Sequence, residues 1–247
     1  MPDEPPAEPT LAPDEAIAPG VRVQILATEH WSLLATRSTA QAEVLSRIAI
    51  LLTFVSATAV SLALVGQATD FDGRFSVYAV VLLCLVLLVG TMTLLRVHNA
   101  SEEDYALVVG MNRLRAAYTE LDPALKRYFV ASAHDDDSGV MQTYNLFRAN
   151  PVTHLFGSTG MLVMVVNSAV AGVLSGVVAS AAGAGTALTV SLGAVVAVVY
   201  LLVAGTLAVR RFLTVQRAYR PLFPSQLPPT WLERRGAPKR AAAPPEQ

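Results

Sequence analysis

Four apolar runs free of charged side chains leave this chain only one solvent for most of its helical surface. The runs cover residues 48–65, 75–95, 161–180 and 187–209, and none contains Asp, Glu, Lys, Arg or His. Each is 18 to 23 residues long, matching the roughly 20 residues a helix needs to cross the hydrocarbon core of a bilayer. A water-soluble helical protein of equal apolar content would scatter charge along every helix. Here the charges are confined to the segments between runs. The expected fold is all-α: a polytopic membrane protein with four transmembrane helices in two hairpins and a small cytoplasmic helical region.

The basic residues set an expected orientation. Of the 18 Lys and Arg, only Arg74 lies in a segment joining the two runs of a hairpin; the other 17 lie in residues 1–47, 96–158 and 210–247. Four spans place those three segments on one side, which the positive-inside rule makes the cytoplasm. Both termini are then cytoplasmic, and only two tight turns face outward. The first apolar run begins after an acidic, proline-rich stretch, not a short basic one, so it reads as a retained anchor and not a cleaved signal. Sixteen of the 18 basic residues are arginine, a composition that points to a GC-rich bacterial source and its cytoplasmic membrane.

The organisation follows from these boundaries. Residues 1–22 are proline-rich and acidic and are expected to be disordered, since they offer too little apolar surface to offset ordering entropy. Residues 23–47 read as a cytoplasmic or interfacial helix, with Trp31, Leu34 and Leu45 on one face and Glu43 with Arg47 as an i,i+4 pair. Trp31 suits either the membrane interface or packing against cytoplasmic helices. Residues 48–95 form the first hairpin, turning at Asp70-Phe-Asp-Gly73 with Gly73 supplying the reversal. Residues 96–158 form the cytoplasmic segment, 159–209 the second hairpin, and 210–247 a basic helix extension to about Tyr219 followed by an unstructured tail. Within 96–158, Ser101-Glu-Glu-Asp104 carries the residues of a helix N-terminus and marks a kink or restart. Asp122-Pro123 begins a short helix over 123–133. A third helix spans 140–149 and stops before Pro151.

Within the spans, small residues recur every four positions: Ser168, Gly172, Gly176 and Ser180 in the third; Thr189, Gly193 and Ala197 in the fourth; Thr53, Ala57 and Ser61 in the first. This spacing lets backbones approach closely and packing replace the missing hydrophobic drive. Run two is rich in Leu and Val and is expected to face lipid. Asn167 and Tyr200 fall at comparable depths and are expected to meet. Outside the spans, Leu107, Met111, Leu114, Tyr118 and Leu121 recur at alternating spacings of four and three, a two-heptad seam. That seam packs either on its own chain or between subunits.

Catalytic chemistry finds little footing. His134-Asp-Asp-Asp137 offers residue types that bind zinc or manganese, but adjacent loop residues seldom converge on one point, and a solvated acidic turn is the expectation. Asp70-Phe-Asp-Gly73 lacks the later acidic ligands of a calcium loop. His98 and His154 lie near the ends of spans two and three, while His30 has no evident partner. No nucleophile elbow, phosphate-binding loop or dinucleotide fingerprint occurs, and the only cysteine, Cys84, sits inside run two as a packing residue. No cofactor, metal or nucleic acid is expected. The absence of carboxylates, histidines, lysines and arginines in the spans weighs against a proton-coupled pump or a voltage sensor.

Trp31-Ser-Leu-Leu-Ala-Thr-Arg-Ser38, the two spans after it, Gly110-Met-Asn-Arg-Leu-Arg-Ala-Ala-Tyr118 and the stretch from Tyr128-Phe129 to His134-Asp-Asp together resemble a group of uncharacterised bacterial membrane proteins. The resemblance covers residues 30–145 and implies a bacterial membrane location without an activity. Two spans followed by a cytoplasmic helix are also similar to the two-span pore-forming effectors of nucleotide-activated bacterial defence systems, from which the second pair of spans departs. The expected function is a structural or scaffold protein of the bacterial membrane, its partners being the lipid bilayer and either further copies of itself or a cytoplasmic protein. The alternative is an oligomeric pore gated through the cytoplasmic helices.

Overall fold

The first run is part of a helix far longer than a membrane crossing requires. In the computed structural model, which describes residues 18–146 and 158–225, α1 covers Pro19–Ala68, 50 residues, and α2 covers Gly73–Leu121, 49 residues. At 1.5 Å per residue each is about 75 Å long. Their apolar runs account for roughly 30 Å, so both continue about 40 Å beyond. A 3₁₀ turn at Pro123–Tyr128 and the short helix α3, Asp137–Tyr144, follow. The second hairpin consists of α4, Thr159–Ala181, and α5, Thr186–Ala218. No strand occurs among the described residues.

The local reasons for these boundaries differ in places from the sequence reading. Pro19 opens α1 where its missing N–H costs nothing. The first reversal is made by Asp70 and Phe71, at φ 48° and 56°, and not by Gly73, which is already the first residue of α2. The Phe71 ring lies over Gly66 and edge-on to Phe75, which fixes the turn, while Asp72 caps α2 by accepting the Arg74 and Phe75 amides at 2.9 and 3.0 Å. The second reversal uses Gly183 at φ +84°. No restart interrupts α2 at Ser101: the Ser101 hydroxyl donates back to the Val97 carbonyl, and the acidic residues after it are occupied by ion pairs. The helix expected over 123–133 shortens to the 3₁₀ turn. The one expected over 140–149 begins earlier, at Asp137, and ends at Tyr144, with 147–149 outside the described residues.

α2 is the centre of the bundle. It packs against α1 on one side and α4 on the other, and α5 packs on α4. Leu83, Val86, Leu94 and Val97 are buried between these neighbours. One face of run two is thus spent on neighbouring helices, while Val77, Val81, Leu88 and Met92 stay exposed, so the expected lipid exposure holds for only part of its circumference; Leu and Val serve equally well against helices and against acyl chains. The outermost span is α5, whose apolar stretch carries no fully buried residue. Cys84 is exposed, so it is not a packing residue. The small residues Thr53 and Ala57 are likewise exposed; α1 meets α2 instead through Leu51, Val55, Thr58 and Leu62, with Ser61 hydrogen-bonded to Tyr78 at 2.6 Å. Continuous apolar surface on all four spans is a liability in water and the normal condition of a helix in lipid.

Past the runs the helices form a polar head. Tyr105, Val108, Val109 and Met111 of α2 and Val140 of α3 are buried there, with Leu33 of α1 and Phe212, Val215 and Tyr219 at the end of α5 packed against them. α5 thus joins the second hairpin to the first outside the membrane as well as inside it.

Candidate functional site

The His134–Asp137 segment is not a solvated turn. Asp135 is completely buried, although its immediate neighbours His134 and Asp136 are polar. Burial is imposed from outside by the end of α5, which folds back over it. Asp135 Oδ2 accepts from Arg113 Nε at 2.8 Å, from the Tyr219 hydroxyl at 2.5 Å and from the Leu222 amide at 3.0 Å; Oδ1 accepts from the Phe223 amide at 2.7 Å. The Asp135 amide returns a bond to the Phe223 carbonyl at 3.3 Å. Arg113 Nη2 donates to the Tyr219 oxygen at 2.8 Å and its guanidinium lies over the Tyr219 ring. One carboxylate therefore ties α2 to residues 219–225, correcting the expectation of an unstructured tail for that stretch.

The neighbouring residues extend the clasp. Asp136 caps α3 by accepting the Gly139 amide, while its other oxygen accepts both the Ser225 amide and hydroxyl at 2.7 and 2.6 Å. Asp137 accepts from the Tyr105 hydroxyl at 2.7 Å. Asn112, fully buried, donates to the His134 carbonyl and accepts from Arg115 and Thr143. Gly139 is needed because any side chain there would enter the His134 carbonyl. Both oxygens of Asp135 and of Asp136, and one of Asp137, accept hydrogen bonds within the clasp; among the described residues no cluster of three His, Cys, Asp or Glu converges.

Three further acids clamp the head. Asp104 accepts from Arg37 of α1 at 2.6 Å, from Gln41 at 3.2 Å and from Tyr144 of α3 at 2.6 Å. Glu103 pairs with Arg96, which also holds Glu43 of α1 at 2.9 Å. Glu102 pairs with Arg211 of α5 at 3.0 Å. Glu43 and Arg47 form their i,i+4 pair at 2.9 Å. Individually the exposed pairs contribute little; as a set they spend the acidic triplet on α1, α2 and α5.

Charge within the clasp follows from these partners. Burial pushes the Asp135 carboxyl up, but the bonds from Tyr219, Arg113 and the two amides outweigh it, and the net shift is downward from the ordinary carboxylate value. Tyr219 is pushed up to about 12 by burial and by its bond to Asp135. Burial holds Asp137 above the usual carboxylate value, against the Tyr105 bond. A group depressed in the folded state contributes stability that is complete above its unfolded pKa and disappears as pH falls through the folded one. The Leu222 and Phe223 amide resonances should therefore shift together toward free-chain positions on acidification, with a midpoint below about 4; a midpoint near neutrality would mean that Asp135 does not hold the clasp.

In the seam read from sequence, Met111 alone is fully buried; Leu107, Leu114, Tyr118 and Leu121 are half-buried. The deeply packed positions are instead Tyr105, Val108, Val109, Asn112 and Ala116. Tyr118 faces inward to His30 of α1, ring centroids 6.3 Å apart, and to Phe129, so this member of the row packs within the chain and His30 has a partner after all. Trp31 is 71% exposed and packs on nothing in the head. It lies 17 positions before Ile48, about 25 Å along the helix, beyond reach of the interface.

Within the spans, Asn167 is fully buried and its Nδ2 donates to the Tyr200 hydroxyl at 3.3 Å. Its Oδ1 has no hydrogen-bond partner and rests against Gly90 of α2. Sequence reasoning missed Gly90, although it is the one glycine of run two and lies at a matching depth. Ser168 and Gly172 are buried, Gly176 is half-buried and Ser180 is exposed. Gly172 and Gly193 touch backbone to backbone, with Ala197 beside them and Thr189 facing Gly176. His154 lies outside the described residues; His98 is near Arg211. Asp135, Arg113, Tyr219 and Asn112 are the head residues that local sequence did not single out as a unit.

No protein-family model matches the chain, nor does any curated protein or solved structure.

Proposed function

We propose that this is a non-enzymatic scaffold of the bacterial cytoplasmic membrane: four spans that fix a rigid helical head on the cytoplasmic face, where protein contacts are made. The observation that carries the reading is Asp135. The most elaborate polar arrangement in the described residues consumes its carboxylate in holding α5 to α2, whereas a catalytic carboxylate needs access to a reacting atom. The Asp104, Glu103 and Glu102 pairs serve the same end. The side carrying 17 of 18 basic residues supports a cytoplasmic head.

A photoreactive amino acid placed at Leu34 or Leu107 in the head, or at the exposed Ala182 in the opposite turn, tests the proposal in living cells. Discrete protein adducts from the head positions and none from the turn are expected. Unitary currents from the purified chain in planar bilayers, with only lipid adducts from the head, would replace the scaffold by a pore.

A further inference from the structure

The exposed apolar surface of α2, α4 and α5 stops where their apolar runs stop; that of α1 does not. Outside the runs, the exposed large apolar side chains carried on an α-helix are Val21, Val23, Ile25, Trp31, Leu34 and Leu45, all on α1. On a helix turning 100° per residue, Val23, Leu34 and Leu45, spaced every 11 residues, fall in line, with Trp31, Ser38 and Ala42 beside them. Arg22, Glu29, Glu43 and Arg47 lie on the other side of the helix, and His30 and Arg37 border the line on the edge that faces α2. Arg37 and Glu43 reach α2 through Asp104 and Arg96, Arg22 approaches Glu120, and His30 stacks on Tyr118. The uncharged arc then continues without a break into the lipid-facing Leu52, Ser56 and Val60 of the same helix.

We propose that this arc is the contact surface for a second copy of the chain, paired α1 to α1 in parallel about a two-fold axis along the membrane normal. The surface selects its own kind. A soluble partner would cover only the portion outside the run, about 40 Å long, and leave the same arc running on in lipid. The bilayer gives every copy one orientation and one height, so an α1 from a second copy presents an equally uncharged arc over the full length, in register. A self-complementary patch of this kind is what a two-fold dimer requires. Taken as about 65 Å long and 10 Å wide, the arc buries on the order of 600 Å² per copy, or about 1,200 Å² in total, the lower end of stable specific interfaces. Trp31 and Leu45, 71% and 61% exposed, are its largest apolar anchors, and aromatic anchors carry a disproportionate share of interface energy.

The inference rests on the scaffold reading and names its contact. Its test uses the full-length chain in native membranes, with Cys84→Ser removing the one native thiol. Leu34→Cys and Leu45→Cys should form disulfide-linked dimers on mild oxidation. Glu29→Cys, on the opposite side of α1, should crosslink several-fold less. In lipid nanodiscs the parent should have twice the 26.2 kDa chain mass, and the Trp31→Glu, Leu34→Glu double variant should fall twofold to the monomer. These side chains are exposed, so an unchanged amide signature at Leu222 and Phe223 will show that the head is still folded. A monomeric parent, or crosslinking at Glu29 equal to that at Leu34, overturns the pairing. Should a monomeric parent still give foreign-protein adducts from Leu34, the pairing fails and the scaffold stands; should it give none, both fail.

Discussion

Replacing Asp135 with alanine is expected to open residues 219–225 from the head at a cost of about 3 kcal/mol, the lower end of what removing one partner of a buried ion pair costs. The lower end applies because the Arg113 side chain is 36% exposed and water can rehydrate it once its partner is gone. The Leu222 and Phe223 amides lose the acceptor they donate to, and Tyr219 loses the carboxylate that accepts its hydrogen bond. Hydrogen exchange at those two amides reads the opening directly: about 3 kcal/mol corresponds to roughly a hundredfold acceleration. Tyr219→Phe removes one of four donors and should accelerate exchange only about tenfold or less. The α4–α5 contact in the membrane should be indifferent to both changes, since Gly172 and Gly193 touch without help from the head. Exchange in Asp135→Ala within a factor of about three of the parent would show that the clasp is decorative.

The same residue shows where sequence reading loses its grip. The four spans are legible because lipid imposes a local rule: about 20 residues without charge. The Asp122 cap is legible for a similar reason, since it bonds an amide two residues on; Asp72, Asp136 and Ser158 cap just as locally, yet the sequence reading does not mark them as caps. Asp135 obeys no local rule. Its neighbours are polar, its hydrogen-bond partners lie 22 positions before it and 84 to 88 after it, and nothing near it announces that Tyr219 and Phe223 will exclude water. The seam misreading has a different cause. Periodicity followed the leucines of α2, but the buried face includes Tyr105, two valines and a polar asparagine, so the true seam is turned aside from the apparent one. Which helix occupies the centre was illegible on principle, because a Leu- and Val-rich span suits helix neighbours and acyl chains alike.

Gly172 and Gly176 share one four-residue stripe, yet alanine should act on them with opposite sign. A Cβ on Gly172 would lie 2.8 Å from the Gly193 carbonyl oxygen and 3.0 Å from the Ala197 Cβ; one on Gly193 would lie 2.9 Å from the Gly172 oxygen. These neighbours belong to the backbone and its first carbon, so relief requires the two helices to separate. Overpacking of this kind costs about 1–3 kcal/mol, and Gly172→Leu should exceed Gly172→Ala. The loss weighs heavily because lipid supplies no hydrophobic force to hold α5 against α4. At Gly176 the nearest atoms, on Thr189, would be 3.7 and 3.8 Å from the new carbon, an ordinary contact. There, alanine removes glycine's conformational freedom in the unfolded chain and should stabilise by about 0.5–1 kcal/mol. Denaturation of the reconstituted protein, followed by a distance probe across the α4–α5 hairpin, separates the two. Equal destabilisation by Gly172→Ala and Gly176→Ala would mean that spacing along the helix, and not the contact with Gly193, sets the energetics of this hairpin.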